Sequence, residues 1–368
     1  MRGRAGQLMG ILVILIPLGL CWLAFSGRLQ TEGAPRLSAG VLVGSIPLIL
    51  LGCEFFTNAV EHVGRIFKLS HHATGGVLAA VGTALPESSI PVIAVIFGPK
   101  GHGEAVGVGA ILGAPFMLAT LALAILGITV IVERYRGRRQ NLALSIDTKV
   151  LRSELGVFLA CFVGVLVVSL INLPLLKYVG AAVLVCLYAW YVKYSISLKA
   201  RKSEVYTKVL YMERYAGMPM EVKTVAVQLV AGLAFILAGA TLFVSSVISL
   251  ALYMKVPALV LSLILAPLAT ELPEKYNSVT WILRGQDTLA VSNITGAMIF
   301  QSMIPVAFGL IFTKWSLGTI ELINIILALG AAGLVYFSLF RSGSLKATAL
   351  LAGGLIYVVY LAGVIFFR

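Results

Sequence analysis

Two short stretches of the sequence combine a threonine, a proline and a glutamate at the same spacing. They are Thr83-Ala84-Leu85-Pro86-Glu87 and Thr270-Glu271-Leu272-Pro273-Glu274, 187 positions apart, and each lies inside an apolar segment. A carboxylate is costly to place in hydrocarbon, so a glutamate within a membrane segment predicts a functional site. Two glutamates in matched contexts predict one site that is shared between two internal repeats.

The chemistry predicted for these motifs is cation binding. On a helix, the threonine and the glutamate of each motif are one turn apart and lie on the same face. The proline lacks an N–H and frees the carbonyl of Gly82 in the first motif and of Ala269 in the second. Hydroxyl, carbonyl and carboxylate oxygens are ligands for Ca²⁺, Mg²⁺ or Na⁺. Two facing glutamates would balance one divalent cation, whereas without a cation at least one should take up a proton.

Each feature of the motif also has a simpler explanation. A proline can be a plain kink, a threonine can bond its own backbone, and a buried glutamate can be a protonated link between helices. Because the whole combination occurs twice, we favour a site with Glu87 and Glu274 as metal ligands and with Thr83 and Thr270 adding oxygens.

The surrounding composition predicts an all-α integral membrane protein. The 368 residues are 60% hydrophobic and only 12% charged, and runs of about 20 apolar residues recur from end to end. We predict about 11 transmembrane helices, at roughly residues 8–26, 38–61, 72–97, 105–132, 154–171, 175–197, 224–252, 257–283, 288–313, 317–340 and 345–367. The first of these resembles a signal peptide, but it lacks a cleavage site and we expect it to be retained.

The basic residues predict the orientation of these helices. The net charge is +13, and the two main basic loops are 133–153 and 198–223. Cytoplasmic loops are enriched in Lys and Arg, so we expect a multi-pass protein of the cell (inner) membrane, with the N-terminus cytoplasmic and the C-terminus outside. These loops could also contact the phospholipid surface, although topology alone explains them. The predicted partners are inorganic cations and the lipid bilayer, without nucleic acid or an obligatory protein.

The chain divides into two related halves. The shift that aligns the two glutamates also places Gly52 on Gly239 and Phe56 on Phe243. Each half has an odd number of predicted spans, so the second copy must enter the membrane in the opposite sense, which makes the repeats inverted. The predicted divisions are 1–37 as an extra N-terminal helix, 38–198 as the first repeat, 199–223 as a cytoplasmic linker with a possible short amphipathic helix, and 224–368 as the second repeat.

The motifs resemble those of the sodium/calcium exchanger, or calcium/cation antiporter, superfamily. Its two repeats each carry Gly-Thr-Ser-Leu-Pro-Glu on one helix and Gly-Asn-x-x-Gly-Ser-Asn-x-x-Asn or Asp on the next. The resemblance covers about residues 38–368. It implies two five-helix halves whose second and third helices form cation sites, with Glu87, Glu274, Thr83 and Thr270 at the positions of the family's ligands.

The sequence also departs from this pattern. The first motif has Ala84 in place of serine, and the second has Glu271. The partner segment 109–118 has lost its serine and its Asn or Asp, whereas Ser292–Gln301 keeps Asn293 and has Gln301 where an acid or amide is expected. The resemblance implies that the serines help to hold sodium, so their loss favours protons as the coupling ion.

Three further residues need an interpretation, and two of them have alternatives. Lys275 could point inward and cancel a carboxylate, but we favour snorkelling to the interface or pairing with Glu271. Glu54 could be a buried gate or proton-path group, or it could be solvated at a helix end. Trp315 lies near a predicted span end, which predicts a place in the interfacial aromatic belt.

The sequence therefore predicts a secondary antiporter that moves Ca²⁺ or a related cation by alternating access, with proton coupling. The predicted cation-binding residues are Glu87, Glu274, Thr83, Thr270, Glu271, Asn293 and Gln301. Sodium/calcium exchange is the near alternative and a cation channel is the more distant one. An enzyme is not expected, because no nucleophile or histidine partner lies near the acids. No cofactor and no ATP-driven pump are expected, because the sequence has no ATP-binding motif.

Overall fold

The computed structural model describes residues 35–66, 79–198 and 209–366, together with Gly19, and these residues are almost entirely helical. The predicted N-terminal span 8–26 lies outside the described residues. The elements are α1 (Pro35–Ile66), α2 (Ala79–Phe97), α3 (His102–Met117), a π-helical turn (Leu118–Ala122), α4 (Leu123–Tyr135), β1 (Ala143–Leu144), α5 (Thr148–Ile171), α6 (Pro174–Leu198), α7 (Tyr211–Ala216), α8 (Val222–Met254), α9 (Ala258–Thr270), α10 (Leu272–Leu283), α11 (Asp287–Phe312), α12 (Thr319–Ser342), β2 (Leu345–Lys346) and α13 (Ala347–Phe366).

These helices are those of a multi-pass membrane protein. Within the described ranges, eight helical segments are long and apolar enough to cross a membrane, and Glu87–Phe97 and Ala258–Thr270 are shorter apolar helices. The prediction of an all-α membrane protein is therefore confirmed. Two predicted spans differ in detail, because 105–132 contains the π-helical turn and 257–283 is divided into α9 and α10.

The chain forms two compact units. The first contains the described parts of Met1–Glu104 and Ala189–Lys255, and the second contains Ala105–Tyr188 and Val256–Arg368. In the first unit, α1 and α8 cross closely because glycines meet backbone. A Cβ on Gly52 would lie 2.8 Å from the Gly232 carbonyl oxygen, and one on Gly239 would lie 3.0 Å from the Ile49 backbone nitrogen. Small residues allow this close approach between membrane helices.

The linker helix α7 also packs in the first unit. Its Met212 and Ala216 join Ala59 and Val225 in a buried apolar cluster. Beside them, Gln228 Nε2 donates to Asn58 Oδ1 over 2.8 Å, and the Met212 N–H donates to Gln228 Oε1 over 2.9 Å. The short amphipathic helix considered for the linker is therefore present, and it is held against α1 and α8.

The second unit contains a second glycine crossing, between α3 and α9. A Cβ on Gly109 would lie 2.4 Å from the Leu259 carbonyl oxygen, and one on Gly113 would lie 2.2 Å from the Leu263 carbonyl oxygen. Ser262 Oγ adds a hydrogen bond of 2.7 Å to the Val106 carbonyl oxygen. Backbone therefore packs on backbone over one turn of each helix.

Three loops that were predicted to share one side of the membrane contact one another in the second unit. Arg139 forms a hydrogen-bonded ion pair with the buried Asp287. The hydrogen bond to Asp287 is the main reason why the pKa of Arg139 is raised above its ordinary value. Strand β1 pairs with β2 in an antiparallel register that places Ala143 opposite Lys346. Asp147 caps α5 by accepting from the Lys149 N–H over 3.0 Å, which starts this helix earlier than predicted.

The prediction for Trp315 was wrong. Its side chain is only 1% exposed, and its Nε1–H donates to Ser169 Oγ over 3.0 Å. A buried indole needs a partner for its N–H, and Ser169 provides one inside the second unit. Trp315 is therefore a core residue and does not belong to an interfacial belt.

Candidate cation site

The second motif lies at a break between two helices. Helix α9 ends at Thr270, Glu271 has φ −91° and ψ 9°, and α10 begins at Leu272 with Pro273 in its first turn. Proline is tolerated in a first helical turn, where its missing N–H has no partner to lose, but not in a helix interior. The break thus places Glu271 at the junction and Glu274 in the first turn of α10.

The first motif is on an unbroken helix. Helix α2 runs from Ala79 to Phe97 and includes the whole motif. Glu87 is 7% exposed and belongs to the first unit. Thr83 lies on α2, and its side chain is outside the part of the chain that the structure describes.

Glu274 is a buried carboxylate with an unsatisfied oxygen. It is 4% exposed, and its Oε2 has no hydrogen-bond partner. An unsatisfied buried acceptor costs about 1–3 kcal/mol, and more when it is charged. A cation at this oxygen would remove that cost.

Asn293 is oriented beside Glu274. Its Nδ2 lies 3.3 Å from the Glu274 carbonyl oxygen and 3.0 Å from Ser278 Oγ. A carbonyl only accepts hydrogen bonds, so the amide group that faces it must be the NH₂. These contacts fix the direction of Asn293 Oδ1, and they bring the predicted residues Glu274 and Asn293 together across α10 and α11.

Glu271 is paired with Lys275. Lys275 Nζ lies 3.1 Å from Glu271 Oε2 and 3.2 Å from Met117 Sδ. Lys275 is 7% exposed and Glu271 is 0% exposed. The pairing with Glu271 is thus confirmed, and snorkelling is excluded because the ammonium group is buried.

The other two predicted residues of the second half are both buried. Thr270 donates its hydroxyl to the Ala266 carbonyl oxygen over 3.1 Å, which is the backbone bond considered as its simpler role. Gln301 is 1% exposed, and neither atom of its amide has a hydrogen-bond partner. It lies about two turns beyond Asn293 on α11 and makes no hydrogen bond with the other predicted residues.

Among the residues that the structure describes, no group of three or more His, Cys, Asp or Glu could hold a metal ion. Any cation bound here would therefore need hydroxyl, amide or backbone oxygens beside its carboxylates. Oxygen sets of this mixed kind suit Ca²⁺, Mg²⁺ and Na⁺.

Glu54 is not a buried gate. Its side chain is exposed, and its Oε2 accepts a hydrogen bond of 2.7 Å from the Tyr211 hydroxyl on α7. The interpretation as a buried gate is therefore wrong, while solvation at a helix end stays a prediction. The residue is exposed because α7 approaches this part of α1 from the linker and supplies a hydroxyl rather than an apolar cover.

Sequence reasoning missed a polar cluster beside the Glu271–Lys275 pair. Tyr357 on α13 stacks on Phe116 at 5.7 Å between centroids, and Phe116 precedes Met117, whose sulfur contacts Lys275. Tyr360, one turn along, lies near Asn324 of α12, although neither makes a hydrogen bond of good geometry. Two features of the sequence could have indicated this cluster: Asn324 is a lone asparagine in an apolar run, and Tyr357 and Tyr360 have helical spacing in the last span.

A helical protein that crosses the membrane several times, with buried carboxylates at a proline-broken helix, has the construction of a secondary transporter. A profile of the sodium/calcium exchanger protein family matches residues 37–197 and 224–367, and the chain belongs to this family. CaxA from Alkalimonas amylolytica is 27% identical over 285 residues, which make up 74% of this chain and 79% of that protein.

Two solved structures share the fold. The crystal structure of the H⁺/Ca²⁺ exchanger CAX matches with a TM-score of 0.63 at 16% identity, over 96% of this chain and 88% of that chain. The sodium-calcium exchanger NCX_Mj, soaked with Na⁺ and Sr²⁺, matches with a TM-score of 0.54 at 19% identity, over 89% of this chain and 99% of that chain. The resemblance drawn from the motifs is confirmed, and the family is one of membrane cation antiporters, not of enzymes.

Proposed function

We propose that this protein is a secondary active antiporter that moves Ca²⁺ or a related cation by alternating access, with protons as the coupling ion. The observation that carries the proposal is the pair of buried carboxylates, Glu87 and Glu274, in matched motifs of an exchanger-family chain. Both are more than nine-tenths buried, and Glu274 Oε2 has no partner in the protein. Buried charges in proteins are paired or bind metals.

The proposed ligands combine these carboxylates with neutral oxygens. Thr270 uses its proton in the bond to Ala266, so the lone pairs of its oxygen remain available to a cation. The amide of Asn293 is held by its NH₂ group, so a cation would meet Oδ1. The full proposed set is Glu87, Glu274, Thr83, Thr270, Glu271, Asn293 and Gln301, with Glu87 and Glu274 as the metal ligands.

The proposed architecture is an inverted repeat of 38–198 and 224–368, joined by the linker 199–223 and preceded by an extra helix in 1–37. With about 11 spans, the N-terminus would be cytoplasmic and the C-terminus outside. The contacts of Arg139 with Asp287 and of β1 with β2 support this arrangement, because they join loops that the proposal places on one side.

Proton coupling is proposed because few neutral oxygens remain for sodium. Ala84, Ala114, Glu271 and Ala297 occupy the positions at which the family pattern has serine. Carboxylates that bind a metal in one state can bind protons in the other. Metal and proton then compete for the same oxygens, and the metal affinity falls as the pH falls.

The test is a flux measurement with purified protein in liposomes. The vesicles are loaded in turn with Ca²⁺, Mg²⁺, Mn²⁺, Na⁺ or K⁺, and flux is followed under an imposed proton gradient and separately under a sodium gradient. We expect divalent flux that is driven by a pH gradient in the absence of sodium, and that saturates with the cation.

The alternatives give different results in the same assay. Flux that requires sodium and ignores the pH gradient would identify sodium/calcium exchange and overturn proton coupling. Flux that neither saturates nor needs a counter-ion would identify a channel. If none of these cations moves under either gradient, the transport proposal itself is wrong.

A further inference from the structure

Lys275 is a buried ammonium group at a place where the proposed function needs negative charge. It follows Glu274 directly in the chain, yet its Nζ turns to Glu271 Oε2 at 3.1 Å. Burying an ammonium group is expensive unless it is paired. The position of Lys275 at the proposed site therefore needs an explanation beyond packing.

The pair is held by the local backbone. Glu271 stands at the junction between α9 and α10, and the Lys275 N–H donates to the Glu271 carbonyl oxygen over 3.1 Å. One helical turn thus joins the two side chains, and ion pairs at this spacing need little chain ordering. The third group of the pocket is the Met117 thioether, 3.2 Å from Nζ.

The surroundings of Glu271 are those of a cation site. The residue is 0% exposed, and its second oxygen, Oε1, has no hydrogen-bond partner. Tyr357 of α13 stacks on Phe116, which precedes the Lys275 partner Met117 in the chain. A buried carboxylate either takes up a proton or is paired with a positive charge, and Lys275 supplies such a charge at 3.1 Å.

We propose that the Lys275 ammonium is a tethered monovalent cation, which permanently fills the position that a mobile ion of ammonium or potassium size would otherwise occupy at Glu271. The inference rests on the proposed antiport and adds to it a statement about charge. Within the proposed set, Glu271 then contributes as the ligand of the Lys275 ammonium, and Glu274 and Glu87 are the proposed ligands of the transported cation. The exchange cycle then needs no separate monovalent ion at this position.

A purely structural ion pair would have different consequences. Loss of a structural lysine would destabilise the protein equally in every salt, because the missing packing and hydrogen bond cannot be supplied by an ion. Loss of a tethered cation would leave a vacated ion site, which Na⁺, K⁺ or NH₄⁺ could fill. The salt dependence of a lysine variant therefore separates the two roles.

The main variant is Lys275→Met, which keeps most of the side-chain volume and removes the charge. The double variant Glu271→Gln/Lys275→Met removes both charges and folds without an unpaired carboxylate. Lys193→Met is the matched control, because Lys193 is an exposed lysine at the end of a spanning segment. Thermal unfolding is measured in detergent with choline, Na⁺, K⁺ or NH₄⁺ as the monovalent ion. An alkaline pH is used, where protons compete least for the carboxylate.

We expect Lys275→Met to gain about 3–6 °C in unfolding temperature when choline is replaced by a small monovalent cation, through mass action on the folded state. The gain should exceed that of the wild type and of Lys193→Met, and it should vanish in the double variant. In liposomes, flux of Lys275→Met should fall about tenfold or more in choline and recover with the small cation, since an unpaired buried charge is strongly unfavourable.

An equal salt response in Lys275→Met and in the wild type would overturn the tethered-cation role. So would a gain that persists in the double variant, because the ion would then bind elsewhere. Wild-type liposomes report on the transport proposal separately. A wild type that moves no cation refutes antiport, whereas an active wild type combined with a salt-insensitive Lys275→Met refutes only this inference.

Discussion

The glycine crossing between α3 and α9 makes a sharp prediction for Gly113→Ala. A Cβ at this position would lie 2.2 Å from the Leu263 carbonyl oxygen and 2.8 Å from the Leu263 carbonyl carbon. Both atoms belong to the backbone of α9 and cannot rotate away. Ordinary contacts between heavy atoms are about 3.5 Å, so the two helices would have to separate by about 1 Å.

The expected cost follows from two opposing effects. Over-packing typically costs about 1–3 kcal/mol, and a clash with backbone places this variant at the upper end. Alanine in place of glycine in a helix returns about 1 kcal/mol. The net loss should be about 2 kcal/mol, which corresponds to roughly 4 °C in the unfolding temperature.

The control is Gly164→Ala on α5, where a Cβ would meet nothing within 4 Å. Thermal unfolding of the two purified variants in detergent is compared with the wild type. Gly164→Ala should be unchanged or more stable, and Gly113→Ala should be less stable. Flux should also fall in Gly113→Ala, because Leu263 belongs to the helix that ends at Thr270. The reasoning is refuted if Gly113→Ala melts at or above the temperature of Gly164→Ala.

Two further predictions concern charged groups. Glu87→Gln and Glu274→Gln should each abolish divalent flux while the protein stays monodisperse and folded, because the amide keeps the shape and removes the charge. The control Glu213→Gln, at an exposed position on α7, should keep wild-type flux. Retained flux in both site variants would disprove the role of the two glutamates. Asp287→Asn should lower stability by about 2 kcal/mol by weakening the pair with Arg139, and an unchanged unfolding temperature would show that this pair does not hold the loops together.

The sequence was sufficient for the helices and for the proximity of Glu274 and Asn293 in the second half. Apolar runs of spanning length predicted most described spans to within a few residues, because hydrocarbon thickness leaves little freedom in helix length. Glu274 and Asn293 were named from motif positions, and the structure places the Asn293 amide 3.3 Å from the Glu274 carbonyl. Repeated motifs carry this information because the ligand types and their helical spacing are both visible in the sequence.

Other features depend on contacts between segments that are distant in sequence. Trp315 stands near a span end, but its ring packs on Gly309 and its N–H donates to the Ser169 hydroxyl across the second unit. Glu54 lies within an apolar helix, and the tyrosine that binds it comes from the linker, more than a hundred positions later. Neither partner could be identified from local pattern, because pairing across the fold is set by packing and not by periodicity.

The two motifs have nearly the same sequence but different backbones. Each contains a proline, so proline alone does not explain why α2 is continuous while α9 and α10 are separate. The second motif is also preceded by Pro267 within α9, and its variable position is Glu271 where the first motif has Ala84. Alanine favours the helix interior, whereas Glu271 is at the junction and forms an ion pair with Lys275 one turn later.

The two motifs also differ in how their charges are balanced. In the second half, one carboxylate of the motif is balanced by a lysine and the other, Glu274, has an oxygen without a partner. The first half has one glutamate in its motif and no lysine beside it. The halves therefore contribute the same net negative charge through different sets of residues. The two motif segments thus keep equal net charge although their sequences and backbones differ, as the proposed antiport of a divalent cation expects.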